Sequence, residues 1–122
     1  MHEFSTVKNI VDKVTEIAIK EGAKEITRLE IELGELTLLE EEQMRFWLEI
    51  MISQTDLGKN AEIVLNKVYG VIQCNKCNYK GSLDTTGMEH LYPILKCPRC
   101  GSHDLEIIKG NDCMIKSLEI ED

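Results

Sequence analysis

The sequence predicts an α+β protein: a small mixed three-stranded sheet with two helices, interrupted by an inserted module built on cysteine knuckles. Three observations predict it. Apolar residues recur at helical spacing in two stretches of the first half, each stretch is followed by a segment of alternating apolar and polar residues, and four cysteines fall into two C-x2-C pairs separated by 19 residues. Periodicity of 3.6 against 2.0 separates helix from strand, and paired cysteines at short spacing mark a tight chelate loop.

In chain order, Val7, Ile10, Val11, Val14, Ile17 and Ala18 recur every three or four residues and line one face of a first helix, which Ser5 or Thr6 can cap and Gly22 can end. From Ile26 to Leu33 the residues alternate, with Leu29, Ile31 and Leu33 on one side, Arg28, Glu30 and Glu32 on the other, and Gly34 closing a strand with one wet face. A second helix runs from about Glu40 to Ser53 on Met44, Trp47, Leu48 and Met51, with Phe46 and Ile50 widening its buried face. The acidic run Glu40-Glu41-Glu42 reads as its first turn, where negative charge complements the helix dipole. Ala61 to Gly70 reads as a second strand on Ile63, Leu65 and Tyr69, so strand, helix and strand predict a parallel pair with a right-handed crossover. Apolar character returns at Cys113 to Ile120, a third strand expected to rejoin the first sheet.

Between these elements, Cys74, Cys77, Cys97 and Cys100 place four thiolates within reach of one tetrahedral zinc ion. Each pair is followed by a residue type that tolerates left-handed backbone, Asn78 and Gly101, as a metal knuckle requires. Two such knuckles make a zinc ribbon; two disulfides are the competing reading, disfavoured because disulfide frameworks rarely repeat C-x2-C and no secretory signal is present. The expected division is an α/β domain of residues 1–70 with 111–122, and a zinc-ribbon domain of residues 71–110. A module of that size barely buries a core, so zinc must supply much of its stability.

The 122 residues carry 22 acidic and 14 basic side chains, a net charge of −8. Over residues 70–112 there are five basic and five acidic side chains, so the acidic excess sits on the α/β part and the ribbon is neutral overall. Both facts argue against nucleic acid as a partner, and no apolar run approaches the ~20 residues needed to cross a bilayer. Reduced cysteines fit a cytoplasmic location. No Ser/His/Asp set, phosphate loop or paired-acid arrangement argues for an enzyme, and four thiolates leave no open coordination position for a hydrolytic water. The unpaired Cys113 reads as a core residue, and His90 and His103 as surface residues near the knuckles.

The N-terminus, Met1-His2-Glu3, carries a second piece of metal chemistry. A histidine at position 2 lets the α-amine, the His2 amide nitrogen and the imidazole close two fused chelate rings on one ion, a nitrogen-rich tetragonal site suited to Ni(II) or Cu(II). A bulky second residue also disfavours removal of the initiator methionine, so the Met1 amine is expected to persist.

Met1-His2-Glu3 before an amphipathic helix, Leu29-Glu-Ile-Glu-Leu-Gly-Glu35, the knuckle Cys97-Pro-Arg-Cys100-Gly101 and the ending Gly110…Ile115-Lys-Ser-Leu-Glu119-Ile together resemble the HypA/HybF family of nickel-insertion accessory proteins for [NiFe] hydrogenase, over essentially the whole chain. The resemblance implies a non-enzymatic metallochaperone that delivers Ni(II) during hydrogenase maturation. It implies nickel on Met1, His2 and Glu3, structural zinc on the four cysteines of the knuckles, and an α/β part that serves as the nickel domain. It also implies the maturation GTPase HypB and the hydrogenase large subunit as partners, in a monomer or dimer, with urease as a further client of some members. The 19-residue span between the knuckles is longer than in many bacterial members. A zinc-ribbon adaptor in transcription or RNA processing is the alternative, distinguished by the absence of nickel binding.

Overall fold

In the computed structural model, which describes residues 2–83 and 95–122, the first helix, α1, spans Glu3–Lys20 and so begins two residues before Ser5. Its N-cap is His2, whose carbonyl accepts the Thr6 N–H at 3.0 Å and the Ser5 hydroxyl at 3.2 Å. Neither Ser5 nor Thr6 is therefore the cap, because the helix already starts at Glu3. At its other end the Gly22 N–H donates to Ile19 O and the Ala23 N–H to Ala18 O, the paired bonds of a glycine-terminated helix. Val7, Val14 and Ala18 are fully buried along the predicted face.

Strand β1 (Glu25–Gly34) buries Leu29, Ile31 and Leu33, as its alternation predicts, and also Ile26, which shares the parity of the polar face and whose N–H donates to Leu57 O. A short 3-10 turn over Glu35–Thr37 leads to Leu38, a non-glycine residue at φ 60°, and then to helix α2 (Glu41–Ser53). Helix α2 buries Met44, Leu48 and Ile52, which recur every four residues. Phe46 is not part of that face: it is 51% exposed, standing edge-on to Trp47 with ring centroids 5.1 Å apart. A residue two positions from both Met44 and Leu48 points roughly 200° away from them, which is why the wider stripe fails. The stripe itself is a stability determinant, so Leu48→Ala should cost about 2–5 kcal/mol, read as a lower urea midpoint with the zinc content unchanged.

Strand β2 (Glu62–Val68) and strand β6 (Cys113–Glu121) flank β1 in a three-stranded sheet of order β2-β1-β6. Side-chain pairs fix the strand senses. Along β1 and β2 the numbers rise together, Arg28 beside Glu62 and Glu30 beside Asn66, which makes that pair parallel. Against β6 they run in opposition, since the Lys24 N–H donates to Glu121 O and the Thr27 hydroxyl to Glu119 O. The sheet is mixed, as predicted. Glu30 ties all three strands, accepting from Arg28 in β1, Asn66 in β2 and Ser117 in β6, and the Arg28 guanidinium holds its carboxyl below the usual carboxylate range. Tyr69, expected on the buried side of β2, lies beyond the strand end and is 66% exposed, with Lys67 Nζ 5.4 Å from its ring centre.

A second sheet, of order β4-β3-β5, comprises β3 (Val71–Cys74), β4 (Lys80–Gly81) and β5 (Leu105–Lys109). Both pairings are antiparallel, with Ile72 opposite Gly81 on one side and Ile107 on the other. The chain divides into two compact units: residues 1–32, 39–66 and 114–122 form one, residues 33–38 and 67–113 the other. The second unit thus recruits the 3-10 turn. Leu36 joins Ile72 and Leu83 in its core, with Tyr79, Leu95, Leu105 and Ile107 packed around them. Gly70 makes room for it, because a Cβ there would sit 2.4 Å from Leu36 Cγ, and the Glu35 carboxylate accepts the Gly70 N–H.

Candidate metal centres

The two knuckles are built alike, residue by residue. In the first, the Asn78 N–H donates to Cys74 O and the Cys74 N–H to Tyr79 O; in the second, the Gly101 N–H donates to Cys97 O and the Cys97 N–H to Ser102 O. Asn78 and Gly101 sit at φ 62° and 76°, the left-handed conformation that reverses the chain after each chelate loop. These turns aim amide hydrogens at sulfur: Cys77 N lies 3.5 Å from Cys74 Sγ, and Arg99 N and Cys100 N lie 3.3 and 3.4 Å from Cys97 Sγ. Asn75 joins the knuckles, its backbone N–H and side-chain amide both donating to Asp104.

Cys74, Cys77, Cys97 and Cys100 converge with all four sulfurs within 4.8 Å of one another. Cys74 and Cys100 are 3.6 Å apart, Cys77 and Cys97 3.5 Å. Tetrahedral Zn–S bonds of about 2.3 Å place sulfurs about 3.8 Å apart, so the donor set and spacing fit a zinc tetrathiolate. No two of the five cysteines are bonded, which removes the disulfide reading. Four thiolates this close cannot all ionise without a cation. Burial disfavours the charged form of Cys97, but the Cys100 and Arg99 amides outweigh it and bring the thiol down to about 6. At Cys77 the Tyr79 amide favours the thiolate, yet burial and the neighbouring sulfurs push it up to about 12. The Cys77 amide lowers Cys74. A bound dication removes this conflict and displaces protons, so zinc affinity should fall by at least ~100-fold per pH unit between about pH 7.5 and 5.5, measured by chelator competition.

At the N-terminal motif, Met1 lies outside the described residues and His2 is exposed. As the N-cap, His2 contributes its carbonyl to α1 while its own N–H has no place in the helical ladder, so an ion taking that nitrogen costs the helix no bond. Glu3 is 5% exposed, and its Oε2 accepts the Glu40 N–H at the start of α2, 2.9 Å away. Burial opposes its ionisation, but hydrogen bonds to the carboxylate outweigh that and lower its pKa. Phe4 stands edge-on to Trp47, centroids 4.9 Å apart. The residues after His2 are therefore fastened to α2, a tertiary feature that helical periodicity cannot register.

His103 is exposed and donates through Nδ1 to Leu95 O at 3.2 Å, while His90 lies outside the described residues. Cys113 is half-buried at the start of β6, where burial pushes its thiol up, as befits a packing residue. Among the described residues the four knuckle cysteines are the one cluster of three or more potential metal ligands, and no helix is long and apolar enough to cross a membrane.

A two-helix α/β unit joined to a cysteine-knuckle ribbon defines a class of small metal-binding proteins. The sequence model of the HypA family, described as hydrogenase/urease nickel incorporation, metallochaperone, matches residues 1–120. The hydrogenase maturation factor HypA of Methanothermobacter thermautotrophicus is 36% identical over 121 residues, covering 99% of this chain and 98% of the relative. That of Pyrococcus furiosus is 33% identical over 135 residues, covering 99% and 96%. The solution structure of the Ni metallochaperone HypA from Helicobacter pylori superposes with a TM-score of 0.67 at 23% identity, covering 99% of this chain and 98% of that one, a likeness of fold. The chain belongs to the HypA family of nickel metallochaperones for hydrogenase maturation.

Proposed function

We propose that this protein carries Ni(II) on Met1, His2 and Glu3 and delivers it during [NiFe] hydrogenase maturation, while zinc on Cys74, Cys77, Cys97 and Cys100 holds the ribbon. Family membership supports the nickel role, and the convergence of four sulfurs at tetrahedral spacing supports a closed, structural zinc site with no place for a reacting ligand. The observation that carries the nickel reading is the placement of His2. It is exposed at a helix start with an amide nitrogen outside the ladder, next to a Glu3 and Phe4 that are tied to α2. Such a site is preorganised yet open, which suits an ion that must be handed on.

On this reading the nickel passes to the hydrogenase large subunit with the help of the GTPase HypB, and the chain performs no chemistry on the ion beyond holding it. Titration of tag-free protein with Ni(II) is the test. One nickel per chain is expected in native protein and none in His2→Ala, with zinc content and helical signal the same in both. Equal nickel binding by the His2→Ala variant would refute the assignment.

A further inference from the structure

The ribbon is neutral over residues 70–112, but its charges are sorted along it. Both C-x2-C loops present a cation between their cysteines, Lys76 in the first and Arg99 in the second, and Lys80 and Lys96 adjoin the same loops. All four side chains belong to exposed residues. None of them forms an ion pair among the described residues. The one carboxylate among the knuckle residues, Asp104, is held by the Asn75 side chain at 3.0 Å. Lys76 and Arg99 each lie between two cysteines of the one sulfur cluster, so both are carried by loops that close on the same centre. A zinc tetrathiolate carries two negative charges, part of which backbone amides at Cys74 and Cys97 already offset, and four cations exceed what remains.

We propose that the knuckle end of the ribbon is a docking surface for a short acidic segment or patch on a partner protein. Charge complementarity identifies the ligand class, and two observations separate it from nucleic acid. A polyanion longer than the knuckles would meet the rest of the ribbon, where residues 70–112 carry five carboxylates against one remaining cation, Lys109, whereas a compact acidic patch need touch only the four cations. Among the described residues the ribbon's exposed surface offers no base-stacking tyrosine at the knuckles: Tyr79 packs against the ribbon core and donates its hydroxyl to Ser82 O. The surface is independent of the nickel-binding residues, so its success or failure leaves the nickel assignment where it stands.

The test uses the full-length zinc-loaded protein and hexaglutamate, with amide chemical shifts as the readout. Shifts should concentrate at Lys76, Lys80, Lys96 and Arg99 and their neighbours, and the affinity should fall about tenfold between roughly 50 and 500 mM salt. The double variant Lys76→Glu, Arg99→Glu should lose at least tenfold in affinity while keeping its zinc and its nickel. If charge reversal beside the sulfurs also expels zinc, the pair Lys80→Gln and Lys96→Gln, outside both chelate loops, should still weaken hexaglutamate several-fold with zinc retained. Unchanged affinity in these variants would overturn the proposal. So would tighter binding of a 12-nucleotide single strand at the same residues, or salt-dependent self-association that accounts for the shifts.

Discussion

Removing zinc with a strong chelator under reducing conditions, or replacing Cys97 by Ala, is expected to collapse the amide dispersion of the ribbon unit while the helical circular dichroism of α1 and α2 persists. The reason is the size of what remains. Among the described residues the ribbon core has three buried members, Leu36, Ile72 and Leu83, beyond the cysteines themselves, and its strands run from two to five residues. Structural zinc in isolated modules contributes on the order of 10–16 kcal/mol, more than such a core can replace. Cys97 is the most informative single site because it is 2% exposed and its sulfur gathers two backbone N–H groups. The 3-10 turn is part of the same unit, so Leu36 and Gly70 should report the loss together with Ile72, although Leu36 is far from the knuckles in sequence. The α/β unit has its own core of Val7, Val14, Leu29, Ile31, Met44 and Leu48 and does not need the metal. Simultaneous loss of helical signal would refute this independence, and a ribbon that kept its dispersion without metal would refute the structural role of zinc.

What the sequence made legible was whatever short-range chemistry decides. Helix α1, strand β1 with its buried Leu29, Ile31 and Leu33, the Gly22 stop and the left-handed Asn78 and Gly101 all follow from local periodicity or from the conformational tolerance of one residue. The sulfur cluster was equally readable, because the spacing of the cysteines leaves few other arrangements for two chelate loops. The rest depended on partners distant in the chain. Leu36 belongs to the ribbon core because Gly70, 34 residues later, offers it space, and no window of sequence contains both. Phe46 and Tyr69 fit their apolar patterns yet face solvent, since a pattern shows which faces are apolar and not how much of each a neighbour covers. Glu3 was read only as a potential ligand, and its burial beneath the Glu40 amide was invisible because burying a carboxylate is costly unless a specific donor awaits it.

That burial sharpens the expectation for the nickel site. Acetylating the Met1 α-amine should lower nickel affinity at least ~100-fold, about 2.7 kcal/mol, although every side chain survives. The α-amine would become an amide, which binds only after losing a proton, and the chelate rings through the His2 amide and imidazole would lose their first member. His2→Ala removes the last member instead and should be as damaging. Both changes should leave zinc and fold intact, because His2 is exposed and its side chain caps nothing. Glu3→Ala is expected to behave differently, since it strips the Glu40 N–H of its carboxylate acceptor and should destabilise the α1–α2 pair by about 1–3 kcal/mol alongside any effect on nickel. Protons compete for amine, amide and imidazole alike, so acidification through the histidine range should release nickel from native protein. Planar low-spin Ni(II), or the same centre with one added oxygen, is the expected spectroscopic signature. Full nickel affinity in the acetylated protein would eliminate the amine as a ligand and move the search to the remaining nitrogen and sulfur donors, His103 and Cys113 among them.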